Sequence, residues 1–103
     1  LYTASFHLDA GEIVVVIKLF TSPTCPYCPT AAEIVRRITN ETDSIALEFP
    51  VNTENGLREA LRFGIRVVPT LVINDELGIV GVPEEGELRK LIKTLKGGVN
   101  EGS

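Results

Sequence analysis

The run Ile13–Phe20, IVVVIKLF, constrains the fold of this chain more than any other stretch. It is β-branched and apolar apart from Lys18, the composition of a central strand covered on both faces. Such a strand needs helices above and below the sheet, which makes the chain a layered α/β domain. Lys18 is expected to snorkel toward a strand end.

The segments that follow supply those helices. Thr21-Ser22-Pro23-Thr24 breaks the strand and leads into Cys25-Pro26-Tyr27-Cys28-Pro29. From Pro29 to about Asn40, an apolar stripe of Ala31, Ala32, Ile34, Val35 and Ile38 reads as a helix, with prolines where its first turn tolerates them. Ile45–Val51 reads as a second strand whose Pro50 marks an edge or an end. Gly56–Phe63 reads as a short helix with Leu57, Ala60 and Leu61 inward, closed by Gly64. Pro69 opens a third strand, Thr70–Asn74, and Asn74-Asp75-Glu76 turns it back into a fourth, Ile79–Val82. Leu88, Leu91, Ile92 and Leu95 mark a last amphipathic helix, which Gly97-Gly98 stops. The expected order is β-α-β-α-β-β-α, a mixed four-stranded sheet with helices on both faces. Residues 13–96 form one domain, residues 97–103 are a tail, and residues 1–12 are an arm or a short edge strand.

Charge and composition narrow the function. Ten basic against fourteen acidic residues give a net charge of −4, so no basic face argues for nucleic acid or anionic lipid. The longest apolar run, Ile13–Ile17, is far too short to span a bilayer. Two cysteines at C-x-x-C spacing are not the framework of a secreted mini-protein, and a reducing, cytoplasmic setting with a working dithiol is expected. The pair lies where a strand meets a helix. The positive end of the helix dipole and unpaired N–H groups favour thiolate there, and thiolate is the nucleophilic form. That is the outline of a dithiol–disulfide exchange site.

These residues carry a family likeness. Cys25-Pro26-Tyr27-Cys28 has the letters of the dithiol glutaredoxin active site, and Phe63-Gly64-Ile65-Arg66-Val67-Val68-Pro69-Thr70-Leu71 resembles the thioredoxin segment that carries a cis-proline. Gly81 matches the glycine that thioredoxins place beside the active-site loop. Together they resemble the thioredoxin fold over about residues 13 to 96, nearest to small archaeal redox proteins intermediate between thioredoxin and glutaredoxin. The resemblance implies that Cys25 attacks a substrate disulfide and Cys28 resolves the mixed disulfide, with Pro26 and Tyr27 forming the active-site loop. It also implies a cis Pro69 beside the cysteines, with Val68, Thr70 and Gly81 contacting an extended substrate. No cofactor beyond the redox-active Cys25–Cys28 disulfide and no metal are expected. The implied partners of this monomer are protein disulfides and an electron donor, either a thioredoxin-reductase-like flavoprotein or glutathione.

The chain also departs from both relatives. Thr24 stands where thioredoxins have a Trp, and Leu19 where they have a buried Asp that accepts a proton from the second cysteine. Gly81-Val82-Pro83 replaces the Gly-Gly with which glutaredoxins hold glutathione. A thioredoxin-like oxidoreductase is therefore the leading reading, with a glutathione-dependent glutaredoxin as the alternative. A non-catalytic binding or metal-holding module, for which only His7 and carboxylates could join the thiols, is the third.

Overall fold

Alternation along one strand divides the molecule into two packed faces. The structure is a computed structural model and describes residues 13–97. The expected arm or edge strand over 1–12 and the tail beyond Gly97 lie outside the described residues. In order, the elements are β1 (Val16–Thr21), α1 (Cys28–Thr42), β2 (Ile45–Pro50), α2 (Glu54–Phe63), β3 (Thr70–Ile73), β4 (Leu77–Val80) and α3 (Glu85–Gly97). The sheet order is β2-β1-β3-β4, with β1 parallel to β2 and both other pairs antiparallel. This is a thioredoxin fold.

Ile17 and Leu19 of β1 point to one face, where they meet Ala31, Val35 and Ile38 of α1, Leu88 and Ile92 of α3, and Leu71 and Ile73 of β3. Phe20 points to the other, against Val72 and Ala60, with Phe49, Val51, Phe63 and Ile65 around it. Its ring stacks on Phe49 at 5.5 Å and meets Phe63 edge-on at 6.2 Å. Both faces of β1 are thus covered, as its composition requires. On the outside of the first layer, Arg37 joins α1 to α3 through Glu85 at 2.7 Å, and Arg89 binds Glu85 at 3.2 Å and also reaches Glu41. The hydrogen bond from Arg37 holds the Glu85 carboxyl below the usual carboxylate range, and Arg89 does the same to Glu41.

Several boundaries differ from the sequence reading. β1 begins at Val16, not Ile13, because Ile13 and Val14 are about half exposed and have no strand alongside among the described residues. β4 covers Leu77–Val80, not Ile79–Val82, because Gly81 takes a left-handed conformation with φ of 89° and turns the chain out of the sheet. α2 starts two residues earlier than expected, where the Thr53 hydroxyl accepts the Gly56 N–H at 2.9 Å as an N-cap. Leu57 and Leu61, expected inward, are exposed at 50% and 73%. The buried residues of this helix are Gly56 and Ala60, because its backbone lies too close to the end of β2 for larger side chains.

Candidate active site

The end of β1 and the start of β3 are neighbours, since Phe20 pairs with Thr70. The loop after the first and the loop before the second therefore leave the sheet at the same end. The first loop carries the cysteines. Cys25 donates its N–H to the Ser22 carbonyl at 3.1 Å, and Cys28 donates to the Cys25 carbonyl at 3.4 Å. The helix begins at Cys28, so Cys25 sits just ahead of the first turn rather than inside it. Tyr27 is the N-cap residue but supplies no side-chain cap; its ring is 65% exposed at the rim. Pro29, at the second helical position, has no N–H to leave unpaired.

Both cysteines are free thiols, and they differ in environment. Cys25 is half-buried; Cys28 is 4% exposed. Burial pushes the Cys28 thiol up to about 11, and its hydrogen bond with Cys25 and the charges of Cys25 and Glu48 push the same way. A hydrogen bond with the Ser22 backbone opposes them. One thiol is reachable and its neighbour is held protonated beneath it.

The second loop is Gly64–Pro69. The Val68–Pro69 peptide is cis and Pro69 is buried. Thr70 donates its hydroxyl to the Val67 carbonyl at 2.8 Å, and Gly81 donates its N–H to the Pro69 carbonyl at 2.8 Å. Among the described residues, neither the N–H nor the C=O of Val68 has a backbone partner. A groove of about 350 Å³ runs beside it, lined by Ser22, Leu57, Leu61, Val67 and Val68. The structure thus gathers Cys25, Pro26, Tyr27, Cys28, Val68, Pro69, Thr70 and Gly81 at one end of the sheet.

Lys18 is elsewhere. It does not reach a strand end; its Nζ lies 3.2 Å from Glu59 and 3.1 Å from Asp75, over the Phe63 ring at 4.8 Å. α2 and the β3–β4 turn each bring a carboxylate to it, which makes burial of the charge tolerable. Two residues near the cysteines escaped the sequence reading. Thr21 is 5% exposed and donates its hydroxyl to Glu48 of β2 at 3.2 Å. The signal was present in IALEFP, where alternation puts Glu48 on the face of Ala46 and opposite to Leu47 and Phe49.

Among the described residues, no group of three or more His, Cys, Asp or Glu side chains could hold a metal ion, and no helix is long and apolar enough to cross a membrane. Val82 is partly exposed and Pro83 is buried, so the segment after Gly81 offers no N–H at Pro83 to a peptide ligand.

Comparison with known proteins agrees with this geometry. The family model described as thioredoxin domain matches residues 15–93. A probable thioredoxin of Archaeoglobus fulgidus is 59% identical over 90 residues, covering 87% of this chain and 99% of the relative. A thioredoxin of Methanocaldococcus jannaschii is 40% identical over 80 residues, covering 77% and 93%. Among solved structures, a mutant thioredoxin from Halobacterium salinarum superposes with a TM-score of 0.72 at 29% identity, covering 82% of this chain and 77% of that one. Chloroplastic thioredoxin z, at 20% identity and a TM-score of 0.67, shares the fold over 80% of this chain and 78% of its own. None of these relatives favours the glutaredoxin alternative. With a domain match over most of its length and relatives of this identity, the chain belongs to the thioredoxin family and is a protein thiol–disulfide oxidoreductase.

Proposed function

We propose that Cys25 is the attacking thiol and Cys28 the resolving one in reduction of protein disulfides. The observation that carries this reading is the asymmetry of the pair: Cys25 is accessible, whereas Cys28 is buried with its thiol near 11. Cys25 thiolate attacks a substrate disulfide, forming a mixed disulfide and releasing one substrate thiolate. Cys28 then attacks the Cys25 sulfur, closing the Cys25–Cys28 disulfide and releasing the second substrate thiol. The start of α1 has no side-chain cap, so its first backbone N–H groups face the loop that carries Cys25. Val68, with its free backbone groups, would pair with an extended substrate strand, in the manner of β-strand addition. Pro69, Thr70 and Gly81 hold that edge in position, and Pro26 and Tyr27 form the rim.

The chain works as a cytoplasmic monomer whose oxidised form is reduced by a flavoprotein of the thioredoxin-reductase type. The blocked segment at Val82-Pro83 supports this donor over glutathione. Turnover of insulin disulfides in the presence of dithiothreitol tests the reading. Cys25→Ser should abolish turnover, and Cys28→Ser should accumulate mixed disulfides. Identical behaviour of the two variants would contradict the assignment. Reduction by glutathione at the rate of a flavoprotein reductase would overturn the donor.

A further inference from the structure

We propose that Glu48 takes the proton from Cys28 as Cys28 attacks the mixed disulfide, and that Thr21 holds the Glu48 carboxylate in place for it. The proposal rests on the assignment of Cys28 as the resolving thiol.

A thiol must lose its proton to act as a nucleophile. Burial, and the charge of Glu48 beside it, hold the proton on Cys28, so little of its thiolate exists before the attack. A base must therefore receive the proton as the attack proceeds. The face of β1 that looks onto α1 offers none, because Ile17 and Leu19 are apolar and buried. The register of the parallel pair sets Glu48 directly opposite Leu19, which puts its side chain on that same face one strand over. Its Oε2 accepts the Thr21 hydroxyl at 3.2 Å, and Thr21 is the last residue of β1, so the carboxylate is drawn toward the end of the sheet that carries the cysteines.

The surroundings leave Glu48 as the base available. From the preceding loop, Cys25 faces Cys28; from β2, Glu48 acts on it through its charge. α1 has no acidic residue in its first turn, and Arg36 lies two turns further along. A groove of about 210 Å³ between α1 and β2, lined by Leu19, Val35, Arg36 and Glu48 among others, gives water access to the carboxylate.

The mixed disulfide joins Cys25 to the substrate sulfur. The Cys28 S–H proton passes to the Glu48 carboxylate, directly or through one water, while the Cys28 electron pair attacks the Cys25 sulfur. The Cys25–Cys28 bond forms, the Cys25–substrate bond breaks, and its electron pair leaves with the substrate thiolate. Glu48 then returns its proton to the departing thiolate or to solvent. Cys25 and Cys28 are oxidised together, and the substrate disulfide is reduced.

The test is a single-turnover reaction of the reduced protein with dithiobis(nitrobenzoate) over a range of pH. The first nitrothiolate released reports attack by Cys25, and the second reports attack by Cys28. This leaving group departs as the thiolate, so proton removal from Cys28 is isolated. In the parent protein the second phase should vary little between about pH 6 and 8, because the base is held in the protein rather than drawn from hydroxide. Glu48→Gln should slow it at pH 7 by about tenfold or more. Its rate should then climb about tenfold per pH unit, as hydroxide becomes the base, with the first phase changed less than about twofold. Thr21→Val, which removes the orienting hydroxyl and keeps Glu48, should give a smaller loss of the same kind. A second phase in Glu48→Gln equal to the parent at every pH overturns the proposal. A faster one also does, since loss of a repelling charge alone would speed the step. A parent protein without a second phase overturns the thiol assignment itself, and the proposal with it.

Discussion

Gly81 donates its backbone N–H to the carbonyl of Pro69 at 2.8 Å, so the residue that ends β4 holds the loop that opens β3. Both residues stand at the end of the sheet where the cysteines lie. The fourth strand, far from the dithiol in sequence, thereby helps to position the edge proposed to receive substrate.

Gly81 has φ of 89°, and a Cβ built there would have nothing within 4 Å. Gly81→Ala therefore meets a conformational cost without a steric one. A loss of about 1–2 kcal/mol is expected, measured by urea unfolding. Insulin turnover should fall as well, because the relaxed loop releases Pro69. A variant as stable as the parent would show that the left-handed conformation is not required.

Gly56 presents the opposite case. Inside a helix, Gly→Ala ordinarily stabilises by about 0.5–1 kcal/mol. Here an added Cβ would lie 1.8 Å from the Pro50 carbonyl oxygen, so α2 would have to withdraw from the end of β2. Gly56→Ala should destabilise by about 1–3 kcal/mol, as overpacking does. Leu61→Ala on the same helix, at a residue 73% exposed, should change stability by less than about 0.5 kcal/mol.

The Cys28 thiol gives a pH dependence with a definite sign. Its value in the folded protein is about 11, above the ordinary 9.0, so the folded state binds this proton more tightly than the unfolded one. The stability it contributes is complete below about pH 9 and is lost as pH rises through about 11. Under reducing conditions the parent should lose more stability between about pH 8 and 11 than Cys28→Ser does, by on the order of 2 kcal/mol. Equal losses, measured by guanidinium unfolding, would refute the burial of this thiol.

Lys18 tests whether a shielded charge holds the second face together. Lys18→Met keeps the stem against Phe63 but leaves Glu59, with its side chain 19% exposed, to its remaining ion pair with Arg62 at 3.4 Å. A loss of about 1–2 kcal/mol is expected in thermal or denaturant unfolding. Arg58→Ala removes a pair whose side chains are 63% and 90% exposed, and should cost less than about 0.5 kcal/mol.

Element order, the two-sided burial of β1 and the placing of Cys25 and Cys28 at a strand–helix junction were all legible along the chain. Each depends on patterns a few residues wide: β-branched runs, a helical stripe, prolines and caps. Pro50 likewise marked the end of β2, and β2 is one of the two edge strands among the described residues. Leu57 and Leu61 show the limit. Their spacing suits an inward stripe, but α2 turns Gly56 and Ala60 to the sheet because β2 comes so near. Lys18 shows it again, since its partners lie 41 and 57 positions away and no local pattern names them.

The sequence by itself determined an α/β domain with a dithiol at the head of a helix, because local backbone preference and hydrophobic periodicity suffice for that. Only the tertiary structure decided how deeply Cys28 is buried, which residues α2 turns to the sheet, and which carboxylate's charge acts on Cys28. Those depend on strand register and on the approach of segments far apart in the chain. The parallel pairing of Leu19 with Glu48 is the case in point: β1 lacks an acid at that position, and the neighbouring strand supplies one.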